Sequence, residues 1–331
     1  QKIQELYIII SKIIDNHKRS KYFFDHVKRV LKYIKDNNNE INISGIELFK
    51  MNKNSKQVLY LFLEIGIIIP DEELMLYILK DTFSDGVKLC HYLYEHIKQY
   101  VNKNEQERIE TEITKLYENG IELFFKNCKI GENDSYICTL IRQDSVEEFI
   151  TYINRNNFSH EMKIEPSIFE SNSFLINQKP TLIEYASFFG SIQIFQYLRL
   201  NNVKLQKSLW LYTIHGRNPE IIHILEENKV SFENNYLYEE CLVESIKCYH
   251  NDFANYIIDA LLNENAKYLS EQYDSVILDS YNYDFYPDIY DIISSSNKKR
   301  LFKLSDLCSS LTKLTIPSSV TSLVDFNLKG C

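Results

Sequence analysis

Residues 180–198 read Pro180-Thr181-Leu182-Ile183-Glu184-Tyr185-Ala186-Ser187-Phe188-Phe189-Gly190-Ser191-Ile192-Gln193-Ile194-Phe195-Gln196-Tyr197-Leu198. The pattern predicts a short helix, a glycine turn and a second, amphipathic helix running back. Ala186 is small where two helices must approach. Gly190, four residues later, supplies the positive φ that reverses the chain. Ile192, Ile194, Phe195 and Leu198 then recur at helical spacing and form the apolar face of the returning helix.

The same plan recurs on both sides of this stretch, in weaker form. Residues 208–225 carry Leu209-Trp210-Leu211-Tyr212-Thr213-Ile214, a turn at Arg217-Asn218, and Pro219, which suits the first turn of the next helix. Ile221-Ile222-His223-Ile224-Leu225 follows. Residues 242–262 place a turn at Asn251-Asp252, then Phe253, Tyr256, Ile257 and Leu261. An earlier copy spans 137–153 with Asp144-Ser145 at its turn, and a last one spans 276–293, turning near Asn282. The turns near 144, 190, 217, 251 and 282 are 46, 27, 34 and 31 residues apart, a mean of about 35. The long first gap holds Pro166 and a polar insertion.

Upstream, residues 1–130 show helical stripes such as Leu6, Ile9, Ile10 and Ile13, or Phe23, Val27, Val30, Leu31 and Ile34. Asp71 before Glu72 and Glu73 reads as a helix start with acids on the positive end of the dipole. Six or seven short helices are expected there. Downstream, the run from Ser294 to Arg300 reads as a linker. It precedes Leu311, Leu314 and Ile316, spaced L-x-x-L-x-I, and Pro317. Cys308 and Cys331 hold equivalent positions 23 residues apart.

The 180–198 stretch resembles an ankyrin repeat. Thr181 matches the opening Thr, Ile183 the core Leu, Ala186 the packing Ala, Gly190 the inter-helix Gly and Leu198 the second-helix Leu. Pro219 and Leu225 hold repeat positions in the next copy. Leu182 stands where the family has Pro, and Glu184 where it has His. The wording of residues 183–198, 208–227 and 244–257 is similar to a divergent ankyrin-like family abundant in parasitic protists. The tail from Cys308 resembles one unit of a BspA-type leucine-rich repeat. These resemblances imply an all-α chain: an N-terminal helical region over 1–130, an α-helical solenoid of ankyrin-like helix pairs over 131–296, and a partial leucine-rich repeat over 301–331. In the ankyrin register, the inner-helix positions facing a partner are Tyr185, Phe188 and Phe189, then Tyr212 and His215, then Ile246, Tyr249 and His250. Two readings of these aromatics stand side by side. Either they anchor a partner, as Tyr often does at interfaces, or they pack between neighbouring repeats.

Composition narrows the function classes. Only 14 of 331 residues are Gly or Pro, against 24 Tyr and 19 Phe. So few turn formers argue against a many-stranded sandwich or barrel. A net charge of −9 argues against a general nucleic-acid surface. No apolar run is long enough to span a membrane. Seven cysteines at wide spacing fit reduced thiols better than a disulfide framework, so a cytoplasmic location is expected. A cell-surface location stays open should the chain be a piece of a longer one. Three Asn-x-Ser matches, at Asn42, Asn133 and Asn157, carry little weight in an Asn-rich chain.

No Walker, G-x-G-x-x-G, G-x-S-x-G or HExxH pattern occurs, and Gly190 and Gly216 read as separate turns. His91 and His96 diverge on a helix. Cys241, Cys248 and His250 are the best metal candidates, but the close C-x2–4-C pair of structural zinc sites is missing. Cysteine in a helical core behaves as a small hydrophobe. His215 and His223 read as helix-end histidines, and Trp210 as a core filler. The expectation is a non-enzymatic scaffold with no metal, cofactor or small-molecule substrate, binding an unknown protein partner through its concave face. The alternatives are a surface adhesion protein of BspA-like type, or the adaptor part of a larger protein.

Overall fold

The computed structural model describes residues 2–16, 21–37, 44–176, 178–230 and 235–257. Among these the chain is all-α. The only β-type pairings are isolated bridges, Thr82 with Lys88 and Lys163 with Thr181. The expected helix pair at 276–293, the linker and the leucine-rich unit, with Leu311, Leu314, Ile316 and Pro317, lie outside the described residues.

Among the described residues nine α-helices precede residue 131, more than the six or seven expected: α1 (Lys2–Asn16), α2 (Lys21–Asn37), α3 (Gly45–Met51), α4 (Lys56–Ile65), α5 (Glu72–Lys80), α6 (Leu89–Tyr92), α7 (Tyr94–Ile97), α8 (Lys103–Leu116) and α9 (Ile121–Ile130). The surplus comes from α6 and α7, single turns too short to show a periodicity. Asp71 caps α5 by accepting from the Leu74 amide at 2.8 Å, as its acidic first turn predicted. The core of this half forms around α4, where Val58, Leu59, Leu61 and Phe62 are all buried. Burial on every side explains why α4 is apolar nearly all round.

The second half comprises α10 (Tyr136–Arg142), α11 (Val146–Asn156), α12 (Leu182–Phe189), α13 (Ile192–Leu200), α14 (Leu209–Gly216), α15 (Pro219–Glu227) and α16 (Asn235–Lys247), with residues 251–257 also helical. Two rows result. Helices α10, α12, α14 and α16 pack in succession, and α11, α13 and α15 form a parallel row beside them. Ile183, Ala186, Leu198 and Leu225 are buried in the shared core. Glu184 has a local structural role. Thr181 and Glu184 close a capping box at the start of α12: the Thr181 hydroxyl accepts from the Glu184 amide, and the Glu184 carboxylate accepts from the Thr181 amide at 2.8 Å.

One left-handed residue joins each pair: Asp144 (φ 52°), Gly190 (φ 73°), Arg217 (φ 50°) and Tyr249 (φ 56°). The last turn is therefore at Tyr249 and not at Asn251-Asp252, which already belong to the next helix. Gly216 is not a turn either. It is the last residue of α14, at a site where α12 passes too close for a side chain.

The residue after each of the last three left-handed positions ties its pair to the one before. The Ser191 hydroxyl donates to the Ile141 carbonyl (2.5 Å), the Asn218 amide to the Gly190 carbonyl (3.0 Å), and His250 Nδ1 lies 2.9 Å from the Ile214 carbonyl. The Asp144 carboxylate accepts from the amides of Gln193 and Ile194 at the start of α13. Polar groups at the turns are thus matched across the row.

The two halves are joined by residues 166–176, the polar insertion noted around Pro166. Phe169 is buried among the side chains of the first half. The Lys56 ammonium is wholly buried; it pairs with Asp85 and donates to the carbonyls of Ile168 (2.8 Å) and Glu170 (3.3 Å). The Ser171 hydroxyl donates to the Gly131 carbonyl, and Asn172 to the Asn16 carbonyl at the end of α1. The end of α1 thereby reaches both the insertion and α16.

Candidate functional site

Six of the eight residues expected to face a partner lie on α12, α14 and α16 of the inner row (α10, α12, α14, α16), and Tyr249 and His250 lie in the turn after α16; the structure places all eight against the chain itself. Tyr185, Phe188, Tyr212, His215, Ile246 and His250 are buried, and Phe189 and Tyr249 are half-buried. For Phe188, Tyr212 and His215 the cover is Phe174. This side chain, from the joining insertion, enters the inner row. It stacks on Phe188 (centroids 6.0 Å apart, 11° between planes), meets Tyr212 edge-on at 5.1 Å and lies 4.7 Å from His215. Phe188 also stacks on His215 at 4.4 Å. The concave-face expectation assumed that this surface stays open. The long first gap in the turn spacing is the sequence signal that something fills it.

Tyr185 and His250 have structural tasks as well. The Tyr185 hydroxyl lies 3.0 Å from Arg142, whose guanidinium also donates to the Asn133 carbonyl and pairs with Glu132 at 3.0 Å. Burial pushes the Tyr185 phenol well above its ordinary range, and that of Tyr212 upward. His250 serves the turn ladder. Trp210 is buried and donates from its indole to the Val230 carbonyl at 2.9 Å, as a core filler would. His223 is exposed and pairs with Glu226. His91 is buried and lies 2.8 Å from Glu112.

Cys241, Cys248 and His250 do not converge, since His250 turns to the Ile214 carbonyl. Cys248 instead meets His215 and Glu244. Its Sγ is 3.4 Å from His215 Nδ1 and 4.0 Å from Nε2, and 4.0 Å from Glu244 Oε1; His215 Nε2 is 3.1 Å from the same carboxylate oxygen. Glu244 lies in the last turn of α16 and Cys248 just past its end, four residues on, so both side chains meet His215 of α14. The sequence signal was that spacing, but His215 belongs to the preceding pair and is adjacent only in space. Burial alone would raise the Glu244 carboxyl; the His215 ring, with Lys247 beyond, more than offsets it and leaves the carboxyl low. Burial pushes the Cys248 thiol well up. A thiol with that bias, shut inside the core, is a poor nucleophile.

A separate cleft of 470 Å³ opens in the first half between α4, α7 and α9, lined by Tyr60, Glu64, Glu95, His96, Glu122, Phe125, Lys126 and Lys129. It carries both signs of charge. Glu64 pairs with Lys28 (2.7 Å) and Lys129 (3.6 Å), and Tyr60 donates to Glu95 at 3.1 Å. His96 lies edge-on to Tyr60, and burial lowers its pKa.

No protein-family model, curated protein or solved structure matches the chain. None of the described helices is long and apolar enough to cross a membrane.

Proposed function

We propose that the chain is a non-enzymatic interaction scaffold, a short solenoid of divergent ankyrin-like helix pairs. The observation carrying this reading is the regular joint between pairs: one left-handed residue, then one polar side chain reaching back to a carbonyl of the pair before. Repeated joints of that kind produce a stiff row of helices, which suits presenting a surface. The closest grouping of a thiol, an imidazole and a carboxylate among the described residues is buried and badly biased for attack, which also favours a binding role.

With the inner-row aromatics engaged internally, the partner surface passes to the solvent side of the outer row. Glu147 and Glu148 on α11 and Glu220, Glu226 and Glu227 on α15 are exposed there. A partner presenting basic side chains is the complementary choice. The test is affinity capture with the full chain as bait. Charge reversal at Glu147, Glu148, Glu220 and Glu227 together should abolish recovery of a specific partner while the chain stays folded, its melt lowered only modestly by the loss of acids from the first turns of α11 and α15. Undiminished capture by that variant would remove the outer row from consideration.

A further inference from the structure

We propose that His215, Glu244 and Cys248, completed by the Asn16 main-chain carbonyl, form a structural binding site for a zinc-class divalent metal ion. The three side chains offer one nitrogen, one oxygen and one sulfur, all within 4.8 Å of one another. That donor set is characteristic of zinc, which accepts His, carboxylate and thiolate in one tetrahedron. The Asn16 carbonyl at the end of α1 lies 3.7 Å from Cys248 Sγ; it already accepts from the Asn172 side chain at 3.2 Å, and its second lone pair would take the fourth corner.

The spacing supports this assignment. Zn–N and Zn–O bonds of about 2.0–2.1 Å and Zn–S bonds of about 2.3 Å place tetrahedral donors roughly 3.3–3.6 Å apart. His215 Nε2 and Glu244 Oε1 stand at 3.1 Å, and Sγ stands 4.0 Å from each. Closing the set draws the sulfur in by a few tenths of an ångström. Sγ lies 3.4 Å from Nδ1 and 4.0 Å from Nε2, both within reach at once, so it sits beside the ring and off the line of both lone pairs. Loading therefore also turns the imidazole to aim one nitrogen at the ion. Lys247 lies 3.9 Å from Glu244 Oε2, on the carboxylate oxygen not used here.

The chemistry is ligand exchange. Bonds form from the ion to sulfur, nitrogen and oxygens, the Cys248 S–H bond breaks, and that proton leaves to water; nothing is oxidised or reduced. In the loaded site the dication's charge is balanced by the Cys248 thiolate formed on binding and by the Glu244 carboxylate. The ion would pin the end of α1 to α14 and α16, three segments distant in sequence. The site is independent of the scaffold reading, because it concerns the interior and not the partner surface.

The test uses the full chain, reduced and stripped with chelator, titrated with cobalt(II). The expected result is a thiolate-to-cobalt charge-transfer band with the strong visible bands of a tetrahedral centre, saturating at one equivalent and displaced by zinc. Cys248→Ser should abolish the band. His215→Gln and Glu244→Gln should weaken cobalt binding by an order of magnitude or more. Cys308→Ser with Cys331→Ser should leave the band intact. No band in the wild type overturns the proposal, as does a band that survives Cys248→Ser or vanishes with the Cys308 and Cys331 pair. Should the core variants fail to fold, the wild type decides alone. Zinc must raise its Tm and chelator must reverse the rise, and an unchanged Tm overturns the site.

Discussion

Gly216 lies so near Ser187 that a Cβ built on it would stand 2.1 Å from the Ser187 carbonyl oxygen, and 3.1 Å from the amide nitrogen of Gly190. Helices α12 and α14, the most extensively packed pair among the described residues, therefore touch backbone to backbone at their C-terminal ends. No flexible atom can yield there. Gly216→Ala should force the two helices apart and cost about 1–3 kcal/mol or more, as overpacking of a tight core does. Urea unfolding checks this, and an unchanged midpoint would mean that the helices separate freely.

Arg217 occupies the left-handed position that Gly190 fills one pair earlier. Its side chain is exposed, so the Cβ pays the conformational strain with no contact evident to offset it. Arg217→Gly should stabilise the chain by roughly 0.5–1 kcal/mol, the ordinary preference for glycine after a helix end. The reverse change, Gly190→Ala, should destabilise it, since the added Cβ meets the Gly216 carbonyl at 3.0 Å. A paired thermal melt reads both signs.

Phe174 is the side chain that closes the inner row. Phe174→Ala leaves a hole between Phe188, Tyr212 and His215. Truncation of a buried Phe typically costs about 3–5 kcal/mol; Phe174 is only half-buried, so about 2 kcal/mol is expected. The variant should also bring Tyr212 within reach of solvent quenchers of tyrosine emission. A loss of stability without that exposure would show that the neighbouring rings collapse into the gap.

Lys56 is a charge with no route to water. Lys56→Met keeps the bulk of the side chain but strands Asp85 and removes the donor to the Ile168 and Glu170 carbonyls. Breaking a buried pair from one side costs about 3–5 kcal/mol. Because those carbonyls belong to the joining insertion, the two halves should also uncouple. Calorimetry should show the single transition broaden or split, and a sharp, merely shifted peak would contradict the coupling.

How far the sequence discloses all this depends on where the signal is local. The capping of α5 by Asp71, the reversal at Gly190, and Pro219 in the first turn of α15 are each written within a few residues, and each is seen. Asp144 and Arg217 were also legible as turns, because an interrupted apolar pattern marks them even without glycine. Tyr249 was missed since an aromatic is an unusual left-handed residue, and the neighbouring Asn251-Asp252 carries the stronger turn chemistry. The environment of the inner row was not legible. Periodicity identified Tyr185, Tyr212 and His215 as one face, but a stripe of aromatics reads alike whether a partner or the chain's own Phe174 covers it. His215 with Cys248, and Lys56 with Glu170, are joined only by the tertiary fold.

Glu112 gathers two cations and an imidazole on the surface of the first half: Lys88 at 2.7 Å, Arg108 at 2.6 Å and His91 at 2.8 Å. The Lys88 ammonium, and with it the His91 and Arg108 groups, pulls the Glu112 carboxyl from 4.5 down to about 2. A carboxyl depressed by folding lends stability that is fully present above its unfolded pKa and lost as pH falls through the folded one. Its contribution should therefore fade between pH 4.5 and about 2. His91 acts in the same direction. Burial lowers its pKa below 6.5 even though Glu112 pulls it back, so protonation favours the unfolded chain as pH falls below 6.5. Stability should thus decline continuously from near neutrality into acid. Glu112→Gln removes the carboxylate. Its urea midpoint should be lower than the wild type's above pH 4.5, and the two curves should converge towards pH 2. Curves that stay parallel over that window would show that the cluster contributes nothing through its titration, as exposed ion pairs often do.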